Sequence, residues 1–189
     1  MLQLSVPVIS DKVSDTELTR RLVDMLPRLF SYLISFAVVG IYWVGHHNLF
    51  HFITHADRVL LWLNNLFLLF VGFIPFPAAL LGAYGTRRVA VVVYGASLVC
   101  TGLTLAFIWL YATHDHRLVD RELSPQIVRN GLKRIMLGPT LYAVTMVACL
   151  MSVWISLALY VLVPIIYILP GRIDRHWHTS AEIRKGGQA

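Results

Sequence analysis

Charge is scarce in this chain, and cysteine is scarcer. Only 14% of its 189 residues are Asp, Glu, Lys or Arg, and two are cysteine. Two cysteines so far apart define no disulfide framework. Cys100 and Cys149 both fall within apolar runs, where a thiol packs as a small hydrophobe. Ionisable side chains are missing from the middle of every long apolar run. A charge in lipid is costly and is kept only for work, so a pump or transporter built on a carboxylate relay is not expected. Nucleophile-elbow, P-loop and zinc-protease motifs are absent too, and the serines within the runs have no acid beside them to complete a triad. Neither an enzyme nor a resident cofactor is expected.

Apolar length is what the chain has instead. Hydrophobic residues make up 57% and the mean hydropathy is +0.67, values of the membrane class. The apolar residues do not alternate with polar ones; they run uncharged from Leu29 to Ala56, Val59 to Thr86, Val89 to Thr113 and Ile135 to Gly171. Each run exceeds the roughly 20 residues, at about 1.5 Å apiece, that cross a hydrocarbon core. As a single helix the last run would extend roughly 55 Å against a core of about 30 Å. It therefore reads as two short spans joined by a turn near Leu150 to Trp154. The fold expected is an all-α polytopic membrane helix bundle with five transmembrane helices, roughly 27–52, 59–82, 88–112, 134–150 and 153–170. Together they form one membrane domain, 1–171, followed by a cytoplasmic tail, 172–189. Within the longest polar connection, "LSPQIVRNGLKR" is expected to form a short helix capped by Ser124 with Pro125 in its first turn. The apolar "LQLSVPV" near the start lacks the charged flank and the length of a signal peptide.

Lys and Arg set the expected orientation. With five spans, one side receives Lys12, Arg20, Arg21, Arg28, Arg87 and Arg88, and the other receives the remaining ten of the sixteen cations. The positive-inside rule makes the second side cytoplasmic. All eight histidines fall there: His46, His47, His51, His55, His114, His116, His176 and His178. The formal charge of +6 then reflects topology and attraction to anionic lipid rather than nucleic acid, since no domain is large enough to read bases.

The stretch "GHHNLFHFITHADR" gathers four of those histidines. If the helix continues that far, His47, His51 and His55 share a stripe at i, i+4, i+8, a spacing that suits zinc or copper. A closed site needs about four ligands, and only Asp57 lies at hand, so no metal site is assigned. Histidines that bond neighbouring helices are the stronger reading. The next run holds "LLWLNNLFLLF", in which Asn64 and Asn65 need polar partners once buried in lipid. His46, His47 and Asn48 are the candidates, and the donors outnumber what two helices can satisfy. A third partner is expected.

These residues carry a resemblance. "YWVGHHNLFHFI", then "LLWLNNLFLLFVGFIPFPAALLG", then "SLALYVLVPIIYILP" resemble the bacterial members of the transmembrane-protein-175 family, the endosomal and lysosomal potassium channels. The likeness runs from about Leu2 to Pro170. Its most specific parts are Trp43 with His46, His47 and Phe50, then Leu61 to Asn65, then Pro75 to Pro77. The resemblance implies a potassium-selective homotetramer in a lipid bilayer, here the bacterial cytoplasmic membrane, each subunit having six helices and both termini cytoplasmic. In that family the first helix lines the pore, begins with Arg-x-x-x-Phe-Ser-Asp, and bonds polar groups of the second and third. His46, His47, Asn48, Trp62, Asn64 and Asn65 would then form a polar collar for the pore helix. No Phe-Ser-Asp motif occurs in this sequence, and "MLQLSVPV", with Leu2 and Leu4, resembles only the outer end of such a helix. The 189 residues as written are therefore expected to conduct poorly or not at all. A non-conducting scaffold and a histidine-dependent metal-handling protein are the alternatives.

Overall fold

The computed structural model describes residues 15–168. Among them six α-helices follow one another: α1 (Asp15–Phe50), α2 (Arg58–Phe73), α3 (Pro75–Tyr84), α4 (Arg88–Thr113), α5 (Pro125–Ala148) and α6 (Val153–Ile168). An isolated bridge between Ile53 and Val119 is the one extended pairing among the described residues, and the fold is all-α. Leu2, Leu4, His176, His178 and the tail lie outside those residues.

Three segments are long and apolar enough to cross a membrane: Tyr32–Phe50, Arg58–Tyr84 and Arg88–His116. Val153–Ile165 is apolar but shorter. α5 has helical length, yet Arg129, Lys133 and Arg134 charge its first half. Its start differs from the expected short loop helix. Ser124 caps it by accepting from the Ile127 N–H at 3.4 Å, Pro125 opens it, and nothing downstream breaks it before Ala148.

α1 begins at Asp15, well ahead of its membrane-length part, Tyr32–Phe50. Its first turns read as polar loop because they carry charge, but Glu17 and Arg21 pair at i, i+4 across 2.9 Å and the segment is helical. The second apolar run is one span in two helices. Pro75 and Pro77 have no N–H to give to the carbonyls of Val71 and Phe73. Ile74 N–H bonds to both Phe70 O and Val71 O, which carries the chain through the break into α3.

α4 is the axle of the bundle. It rests on α5, α2 and α3 and also touches α1 and α6. Its span is 61% buried against 22% for each of the other two long spans. Glycine makes that possible: a Cβ at Gly102 would sit 2.3 Å from Pro139 Cγ, and one at Gly95 2.2 Å from the Tyr160 hydroxyl. Small residues let backbones approach in lipid, where packing and buried hydrogen bonds replace the hydrophobic drive between helices. The hydrogen bonds are present. Tyr42 OH donates to Leu98 O at 2.7 Å, Tyr160 OH to Val91 O at 2.9 Å, and Ser156 OH to Thr145 O at 2.9 Å. Tyr94 OH is the one buried side-chain polar atom without a partner among the described residues.

Candidate functional site: a polar island on the first two helices

The end of α1 and the start of α2 lie at the same end of the bundle, joined by residues 51–57. Asp57 starts α2. Its carboxylate accepts the Leu60 N–H at 2.8 Å and the Tyr111 hydroxyl at 2.5 Å, tying α2 to the last turn of α4. These bonds, the Leu60 amide first, hold the Asp57 carboxyl below its ordinary value, and the neighbouring Arg117 adds to the effect. Arg117 lies over the Tyr111 ring at 4.9 Å. The connection is clipped further where Thr54 and His55 N–H groups donate to Leu118 O.

That loop geometry disposes of the histidine stripe. α1 ends at Phe50, so His51 and His55 lie beyond the helix and do not continue the face of His47. His55 Nδ1 pairs locally with the Thr54 hydroxyl, and both Asp57 oxygens are engaged. Among the described residues no three metal-ligating side chains gather.

Of the predicted collar, the structure brings two members together. His46 Nε2–H donates to Asn64 Oδ1 at 2.8 Å. The imidazole is held between two phenyl rings, Phe50 at 4.1 Å and Phe67 at 5.0 Å, nearly parallel to the latter. Tyr42 meets Phe67 edge-on one turn below. The island is thus a stacked, hydrogen-bonded joint between α1 and α2.

The other four point elsewhere. Helical geometry turns Asn65 about 100° from Asn64, and places Trp62 on the same outward side. Both are exposed, Trp62 at 65%, as are His47 and Asn48. His47 stacks on Trp43 at 5.4 Å, whereas Asn48 and Asn65 make no hydrogen bond among the described residues. The sequence showed the island but not its two faces. Asp57, Tyr111 and Arg117 were missed as a cluster, although an Asp just ahead of an apolar run is a capping signal.

An all-α bundle with three membrane-length spans and a polar joint inside them defines an integral membrane protein. Comparison with known proteins specifies it. A profile described as "Endosomal/lysosomal potassium channel TMEM175" matches residues 1–75. A protein of Chamaesiphon minutus named a potassium channel is 30% identical over 89% of this chain and 85% of its own length. One of Streptomyces collinus, also named a potassium channel, is 32% identical over 75% and 70% respectively. The crystal structure of a lysosomal potassium-selective channel TMEM175 homolog from Chamaesiphon minutus superimposes with a TM-score of 0.68 at 29% identity, covering 82% of this chain and 79% of that one. The human relative, named an endosomal/lysosomal proton channel, is 27% identical, and the chain spans 34% of it. The chain belongs to the TMEM175 family, a family of ion channels.

Proposed function

We propose that this chain is a subunit of a tetrameric, potassium-selective cation channel, and that the outward half of the polar island receives a pore-lining helix. Asn65 carries the reading. It lies inside the apolar Arg58–Tyr84 span, exposed and without a hydrogen bond among the described residues. An amide in hydrocarbon costs several kcal/mol unless a partner meets it, roughly 2–7 by reference state, so a polar group of another helix belongs opposite. Asn48 and His47, also exposed, make the same demand from α1. His46 and Asn64 hold the receiving surface in place through their mutual bond, and Trp62 is part of that surface beside Asn65.

Potassium is the ion favoured, because the bacterial relatives that match most of the chain are named potassium channels. The arginines at this end, Arg58 and Arg129 near the starts of α2 and α5 and Arg117 and Arg121 between α4 and α5, face the cytoplasm of a bacterial cell in this reading, in keeping with the positive-inside rule. These 189 residues contain no Arg-x-x-x-Phe-Ser-Asp, and in this reading the pore-lining helix is the element that bears it.

Flux in liposomes tests the reading. The expected results are little potassium flux from the 189 residues alone, and flux favouring potassium over sodium and protons once a motif-bearing first helix is supplied upstream. Proton flux in preference to potassium would align the chain with what the vertebrate relatives are named for. No flux, with a stable complex with another membrane subunit, would make it a scaffold.

A further inference from the structure

Beyond the polar island, one face of α4 is left open. Its buried positions run along nearly the whole helix, yet Phe107 and Leu110 are exposed at 59% and 44%. With Tyr111 and His114 they form a single stripe at i, i+3, i+4, i+7. Val59 and Leu63, an i, i+4 pair on α2, face them. The two stripes enclose an open groove of about 550 Å³, closed off at the loop end by Arg117. Every apolar wall residue belongs to the Arg58–Tyr84 or Arg88–His116 span, and Arg117 is the first residue after the second. The groove is therefore apolar at membrane depth and cationic at its mouth.

We propose that this groove binds an anionic phospholipid, an acyl chain lying between Val59, Leu63, Phe107 and Leu110 and the phosphate meeting Arg117. The arginine is held in place for such a contact. Its guanidinium lies over the Tyr111 ring at 4.9 Å, leaving its planar N–H fork for a phosphate. Asp57 is the carboxylate nearby, and its two oxygens already accept from Leu60 N–H and Tyr111 OH. His114 at the rim faces Asp115 across 3.1 Å. A neutral or cationic occupant would leave the arginine with only Asp57, whose oxygens are already engaged, to balance it at the membrane boundary. Lipid binding of this kind is independent of ion selectivity.

The 189-residue chain in detergent, titrated with phosphatidylglycerol or phosphatidylcholine and read by native mass spectrometry, tests it. The protein is expected to prefer phosphatidylglycerol, by about fivefold for one arginine near the surface. Arg117→Gln should erase that preference and Arg117→Lys should keep most of it. Leu110→Trp, which fills the groove, should lower binding of both lipids. Equal affinity for the two lipids, or a preference that survives Arg117→Gln in a folded variant, would overturn the proposal. So would a Leu110→Trp protein that keeps its bound lipid but changes its number of subunits, since the groove would then hold a second copy of this chain.

Discussion

The two sides of this bundle are built on opposite plans. Around α4 the side chains are buried, glycines admit a proline ring and a tyrosine hydroxyl, and phenols bond backbone carbonyls of the next helix. α1 and α2 bury one face, with Val38, Leu60 and Phe67, but turn many apolar residues outward: Phe36, Trp43, Trp62 and Leu69 are each more than 60% exposed. Polar groups differ likewise: on the first side the Tyr94 hydroxyl alone is buried without a partner among the described residues, whereas on the second Asn48 and Asn65 make no hydrogen bond among them. The first side holds the fold together. The second is the side on which the proposed pore-lining helix would sit.

Substitution should separate the two most sharply at glycine. Gly102→Leu would drive a branched side chain into Pro139, whose ring cannot rotate away. The expected cost is about 1–3 kcal/mol or more, read as a lowered Tm or lost folded yield. Gly72, on the outward side of α2, has nothing within 4 Å of where a Cβ would lie. Gly72→Ala should be neutral or gain up to about 1 kcal/mol through helix propensity.

Tyrosine refines the picture within the core. Tyr160→Phe removes the bond to Val91 O and should cost about 0.5–1.5 kcal/mol. Tyr94→Phe removes a buried hydroxyl that has no partner among the described residues, and should leave the Tm unchanged or raise it. If both variants lost stability equally, Tyr94 would have a partner the fold does not show.

The joint between the sides has a pH signature. Asp57 is held below its ordinary value of 3.8, so its contribution to stability is complete above that pH and is lost as pH falls through the depressed value. Thermal unfolding should be insensitive to this group from neutral pH down to about 5. Below that it should weaken, and Asp57→Asn should remove that part of the slope while still capping α2.

The smallest effect on folding is expected at the outward amide. Asn65→Leu should change the stability of the isolated chain by no more than about 0.5 kcal/mol, as for other surface substitutions. Its effect should fall on assembly and conduction instead. A large loss of stability would mean that Asn65 serves the fold.

Much of this was legible in the sequence. Uncharged runs pointed to the all-α membrane class, and "HHNLF" with "LWLNNLF" to both the family and the polar island. What periodicity could not say was where α1 stops. The spacing of His47, His51 and His55 is compatible with a helix that continues through His55, but the loop of 51–57 is drawn off by backbone bonds to Leu118, a contact 64 residues away in the chain. Nor could it divide Asn64 from Asn65, because which neighbour faces α1 depends on how α2 is rotated against α4. The groove under Arg117 has the same origin: its walls come from two helices whose adjacency is a tertiary fact.

That α1 and α2 present a ready-made seat for a pore-lining helix is the central claim. Potassium flux in liposomes tests it most directly, from the 189 residues with a motif-bearing first helix supplied upstream, comparing the native chain with Asn65→Leu. Potassium-selective flux is predicted from the native chain, and its loss in a variant whose subunit remains folded. Undiminished flux from Asn65→Leu, or equal flux from the 189 residues without the added helix, would contradict the claim.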